Sequence, residues 1–364
     1  MTRRALILIA GLALVPAMRL APIAPAPEAA LTRLPRELSG QDFWKLSTEL
    51  SEPDGYFRSD NLVSNEVFMQ RVIPELTKVV KPGRVYLGVG PEQNFTYIAA
   101  VKPAMAFIVD IRRGNLQLHL MYKALFELSA DRAEFVSRLF SLRRPAGLGR
   151  KSTVGEIFTA YNDPQLRSDE LYKQNIAAMR DLFQKKKLGL AADDISGVER
   201  VYEEFFTRGP SIHYEVTPGS AGSFPTFVEV MIAGDDASVQ RSFLSSEDRF
   251  ETIKDLQTRN MLVPVVGDFA GPKAIRAIGS WAKRHGALVG AFYVSNVEQY
   301  LMREGGIDRF CASTATLPLD DSSTFIRSER GGFAPRAPRG PGGFGAGFTS
   351  QLHNIRDDVK SCGR

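Results

Sequence analysis

The chain has 364 residues, 44% hydrophobic and 24% charged, a balance that excludes collagen-like, coiled-coil and mini-protein architectures and leaves room for one large domain or two small ones. Its formal charge of +5 belongs to the ends: residues 1–30 carry three Arg and one Glu, residues 327–364 carry seven basic and three acidic side chains, and the body between is close to neutral. Net charge therefore does not support a basic face on the folded part, and no nucleic-acid partner is expected for that domain.

The first 30 residues have the layout of an export signal. Arg3-Arg4 is followed by an uncharged apolar run over residues 5–18, too short to span a bilayer comfortably, and then by an Ala/Pro-rich stretch. Val15-Pro16-Ala17 is an acceptable cleavage site; an uncleaved N-terminal anchor is the alternative. Export to the periplasm or membrane association through the N-terminus is expected, and a cytoplasmic location if the leader is not a signal.

The body alternates strand and helix. Residues 84–90 (RVYLGVG) follow the turn signal Lys81-Pro82-Gly83, and residues 105–110 (MAFIVD) follow Lys102-Pro103. Both are short unbroken apolar runs, the pattern of strands buried on two faces, and residues 92–101 between them have the length of a crossover helix. A helix is predicted over 115–128, where Leu116, Leu120, Ala124 and Leu128 repeat at spacing four. The middle, residues 131–260, reads as mostly helical: Thr153-x-x-Glu156 and Ser196-x-x-Glu199 have capping-box spacing, a helix starts after Ser168, and another starts at Ser245 or Ser246. Residues 227–232 (FVEVMI) alternate as a strand would. A second strand–helix–strand–helix set follows over 262–266 (LVPVV), 272–285, 286–294 (GALVGAFYV) and 296–303, with Pro264 awkward for a central strand.

These elements predict an α/β protein with a doubly wound, mostly parallel, Rossmann-like sheet over residues 31–327 and a helical insertion at about 131–226. Residues 330–348 (RGGFAPRAPRGPGGFGAGF) have no apolar period and are expected to be disordered within a Gly/Pro/Arg-rich tail at 328–364, with a short loose helix over 351–360. Two cysteines, Cys311 and Cys362, are too few for a disulfide framework, and whether they pair is left open. The four histidines, His119, His213, His285 and His353, share no ligand spacing, so no metal is expected. No Gly-x-Ser-x-Gly elbow surrounds the serines at 242–246 and no histidine partner can be assigned to them, so a nucleophilic serine is not expected there.

Chemistry is expected outside the carboxyl ends of the strands. Gly88-Val89-Gly90 ends the first strand, and Glu92, Gln93 and Asn94 open the helix, where backbone N–H groups can meet a polar ligand. Asp110 ends the second strand 20 residues beyond Gly90, positioned to accept hydrogen bonds from a ribose diol, with Arg112 and Arg113 behind it. Asp268 faces the same edge, as general base or helix cap, and Asn296, Glu298 and Tyr300 follow the last strong strand on the substrate side.

The stretch VYLGVGPEQNFTYIAAVKPAMAFIVDIRRGN (85–115), with VPVVGDFAG and AFYVSNVEQYL, resembles class I S-adenosylmethionine-dependent methyltransferases, and more closely an uncharacterised bacterial family with that fold. In their first motif, an acid followed by Gly-x-Gly-x-Gly, this chain has Tyr86 for the acid and Glu92 for the third glycine. The resemblance implies that Asp110 holds the ribose of S-adenosylmethionine and that Asp268 contacts its adenine or the substrate. The expected function is binding of a nucleoside-type or other small polar ligand, with S-adenosylmethionine-dependent methyl transfer to an unknown acceptor as its catalytic form. The alternative is a catalytically inactive cell-envelope scaffold that kept the fold, lost the cofactor and contacts an envelope protein partner.

Overall fold

A computed structural model describes residues 33–216, 224–330 and 348–362. The leader and the tract at 331–347 lie outside the described residues. In chain order the elements are α1 (Gly40–Leu50), α2 (Ile73–Val79), β1 (Val85–Gly88), α3 (Gln93–Val101), β2 (Met105–Asp110), α4 (Arg113–Leu128), α5 (Arg132–Phe140), α6 (Val154–Ala160), α7 (Asp169–Lys185), α8 (Ala192–Arg208), α9 (Phe227–Ile232) and α10 (Glu247–Thr258). Then come β3 (Leu262–Val266), α11 (Ala274–Arg284), β4 (Val289–Ser295), α12 (Val297–Glu304), α13 (Ile307–Thr314), β5 (Thr324–Arg330), β6 (Phe348–Asn354) and α14 (Ile355–Ser361).

The six strands form one sheet in the order β3-β2-β1-β4-β5-β6. All pairings are parallel except β5 with β6, which is antiparallel. This is a Rossmann-like α/β fold: every residue of β1, β2 and β3 is buried, as expected for strands covered on both faces. The chain leaves β1 toward β2 on one side and returns to pair β4 on the other, so the strand order reverses between β1 and β4. Pro264 fits because β3 is an edge strand, where a missing ladder donor is tolerated.

Side chains on α3, α4, α5 and α10 meet in one aromatic cluster. Phe126 lies 4.4 Å from Phe135 and 5.2 Å from Phe250, and Phe95 contacts Tyr122, Phe126 and Phe243. Buried and half-buried ion pairs fasten the helices around it. Arg113 makes a two-pronged pair with the fully buried Asp194 of α8, and the buried Lys123 pairs with Glu127 at 2.8 Å while donating to the Gln257 carbonyl.

Several expectations are corrected. Residues 227–232 are helix, not strand: Thr226 and Glu229 form a capping box, and Phe227, Val230 and Met231 are buried at helical spacing. Ser196 is no helix start but lies inside α8, whose N-cap is Ala191, while Glu199 pairs with Arg180. The box at Thr153, the start after Ser168 and the start at Ser246 are present. The tail from 328 onward is not a single unstructured segment: β6 completes the sheet edge through seven paired residues, and the helix begins only at Ile355. Cys311 and Cys362 form a disulfide that ties the end of the chain to α13.

Candidate functional site

The carboxyl ends of β1, β2, β3 and β4 open on one cleft, which encloses about 960 Å³ of empty space with its mouth included. Its floor carries Gly90, Asp110, Asp268 and Ser295, each at or just beyond a strand end. Its opposite wall comes from the irregular segment between α1 and the short 3-10 turn at Met69–Val72, through Tyr56, Phe57, Asn61, Ser64, Asn65 and Glu66. Hydrogen bonds hold this segment over the sheet: Gly55 N–H donates to the Ile111 carbonyl, Arg113 N–H to Asp54, and Ser64 N–H to the Glu92 carboxyl.

Of the residues predicted from sequence, Gly90, Gln93, Asp110, Asp268, Asn296 and Tyr300 line the cleft. Gly88, Glu92, Asn94, Arg112 and Glu298 do not. Asn94 turns back on its own turn: its amide Nδ2 donates to the carbonyls of Val89, Gly90 and Pro91, and its Oδ1 accepts from the Tyr86 hydroxyl at 2.9 Å. A Cβ on Gly88 would lie 1.8 Å from Asn94 Oδ1, so that glycine makes room for a protein side chain. Gly90 sits at φ +77°, where glycine is needed for the backbone itself. Burial pushes the Tyr86 hydroxyl well above its ordinary pKa, so it serves as a neutral donor where the resembled motif has an acid. Glu92 is fully buried, and burial pushes its carboxyl up to about 7 against the lowering effect of the Ser64 N–H.

Asp110 is 6% exposed. Burial raises its pKa, opposed by the Arg112 guanidinium 3.6 Å away and by the backbone N–H groups of Arg112 and Gly90. Arg112 thus backs the carboxylate without lining the cleft, and Arg113 is spent on Asp194. Asp268 accepts from Ala270 N–H, closing the turn before α11, while Glu52 accepts from the N–H groups of Asp268, Lys273 and Ala274 and so supplies the helix cap. Glu298 faces away, paired with Arg327, which also binds Asp358. Tyr300 meets Phe57 edge to face at 5.4 Å.

One buried carboxylate of the cleft, Glu66, was not singled out from sequence. Glu66 Oε1 accepts from the Tyr293 hydroxyl at 2.9 Å and the Ser295 hydroxyl at 2.7 Å, and Oε2 accepts from Gln93 Nε2 at 2.7 Å. Gln93 also donates to Tyr97, whose hydroxyl meets Ser350 of β6 at 3.1 Å. The signal available was a long aperiodic stretch before the first strand, containing Tyr56-Phe57 and Ser64-Asn65-Glu66, because long loops in a compact domain usually carry function. Among the described residues no group of three or more His, Cys, Asp or Glu side chains is placed to hold a metal, and no helix is long and apolar enough to cross a membrane.

Residues 61–360 match a domain of unknown function, DUF7790, and the chain belongs to that family. No curated protein matches it.

Proposed function

We propose that this member of the family binds a small nucleoside-type ligand in the cleft at the carboxyl edge of its sheet. The observation that carries the reading is Asp110: a buried carboxylate at the end of β2 that lines the cleft beside the strand-order reversal, where a ribose diol is held in doubly wound folds. Asp268 and Phe269 supply polar and aromatic contacts for a base, and Asn296 and Tyr300 stand on the substrate side.

S-adenosylmethionine is the cofactor that the methyltransferase resemblance implies. The cleft offers its nucleoside half the residues just named, but its amino-acid end would meet a turn whose space above Gly88 is filled by the Asn94 carboxamide. The residues fit a nucleoside and do not fit the whole cofactor in its usual seat. That same filled turn favours the second reading, an exported cell-envelope protein that kept the fold and lost the cofactor. The Cys311–Cys362 disulfide supports an oxidising compartment for it.

The test is thermal unfolding of the full chain with adenosine, for wild type and for Asp110→Asn, which keeps an acceptor for Arg112 N–H. Adenosine at a hundredfold excess over its Kd should raise the wild-type Tm by about 3–5 °C, and the variant should lose that rise. An equal rise in both proteins, or none in the wild type, refutes the assignment.

A further inference from the structure

We infer that the cleft selects a positively charged ligand and rejects phosphorylated ones, with Glu66 as the buried carboxylate that receives the cationic group. The inference deepens the function just proposed and rests on the cleft being the ligand site.

Three observations carry it. First, among the described residues no Lys, Arg or His lines the cleft, whereas Glu66, Asp110, Asp268 and Glu304 do. Two cations stand close by without lining it: Arg112 lies 3.6 Å from Asp110, and the exposed Arg303 has its guanidinium 5.9 Å from the Tyr300 ring centre. Second, Glu66 is 4% exposed and meets only neutral donors, Tyr293, Ser295 and Gln93; no described cation pairs with it. A buried carboxylate without a counter-ion is costly, and a ligand that brings the cation relieves that cost on binding. Third, the cleft that Glu66 lines also carries aromatic rings: Phe57 and Tyr300 pack edge to face, and Tyr56 is 84% exposed. Aromatic faces attract a cation and offer a phosphate nothing. The N-terminus of α3, the natural phosphate seat of this fold, has Glu92 as its cap residue with the carboxyl buried. Dinucleotides and nucleoside phosphates are therefore poor ligands, and an amine-bearing one is favoured.

The test compares ligands that share one scaffold and differ in charge. Calorimetry on the full chain would measure 5′-amino-5′-deoxyadenosine, adenosine and adenosine 5′-monophosphate, then phenethylamine against phenylacetate as a pair without a nucleoside. The amino nucleoside should bind about tenfold tighter than adenosine, the worth of one modest charge interaction, and the monophosphate should bind more weakly than either. Glu66→Gln should bring the amine-to-adenosine ratio toward one. Tighter or equal binding of the monophosphate in the wild type overturns the inference even if the variant does not fold, and so does an unchanged ratio in a folded variant. If no nucleoside binds, the nucleoside reading fails by itself: preference for phenethylamine over phenylacetate then upholds the charge rule, and its absence overturns that too.

Discussion

Glu92 and His119 are buried titratable groups whose effects on stability oppose each other. Burial holds the His119 imidazole down to about 4, and its Nε2 bonds the Gly90 carbonyl at 2.9 Å. Burial also pushes Glu92 up to about 7. For Glu92 the folded chain binds the extra proton, so its contribution is full below the ordinary carboxyl range and is lost as pH rises through about 7. For His119 the unfolded chain binds the extra proton, so stability is lost as pH falls from the ordinary imidazole range toward about 4. The two slopes largely cancel in the wild type over the shared window. Glu92→Gln keeps an acceptor for Ser64 N–H and removes one of them. Relative to wild type, the variant should gain about 3 kcal/mol between acid and mildly alkaline pH, read by urea unfolding at several pH values. A difference that does not change with pH would show that Glu92 titrates as an ordinary carboxyl. Position 92 is thus explained by folding: the sequence identifies it as a departure from the resembled motif, but only the packed structure shows that its partner is the Ser64 backbone.

At the scale of elements, the strands of the sheet centre were legible and those of its far edge were not. The runs around Leu87, Ile108, Val265 and Phe292 are apolar because both faces of each strand are covered. β5 (TFIRSER) and β6 (FTSQLHN) are polar, and their pairing joins residues on either side of the Gly/Pro/Arg tract, a long-range contact to which no local pattern points. The short helix α9 misleads for another reason: six residues fit alternation as well as helical spacing, and only the Thr226-x-x-Glu229 cap separates the two. The β1–α3 turn was legible, and in the structure the Asn94 carboxamide occupies the space beside Gly88. If Gly88 makes room for Asn94, then Gly88→Ala should cost stability, about 2 kcal/mol by overpacking, and Asn94→Ala should remove part of that cost in the double variant, the rest coming from the Tyr86 ring, 2.8 Å from the added Cβ. Additive costs in denaturant unfolding would mean that Gly88 serves something other than Asn94.

Over the whole molecule, the end of the chain is fastened at two places that composition gives no reason to join. The disulfide spans 51 residues, a loop whose closure restricts the unfolded chain by about 4 kcal/mol in the entropic account. It encloses β5 and β6, and Ser350 of β6 reaches Tyr97 and through it Gln93 and Glu66. The cleft is therefore assembled from segments far apart in sequence: the strand ends, which periodicity reveals, and residues 51–68, which have no periodicity to reveal them. That division explains why the sequence pointed to Asp110 and Asp268 at this edge and not to Glu66. Nucleoside binding in this assembled cleft is the central property of the proposed function. Calorimetric titration of adenosine and S-adenosylmethionine into the full chain tests it most directly. A single site for adenosine with a Kd on the order of 10–100 μM is the predicted result. Absence of heat with adenosine at millimolar concentration would contradict it.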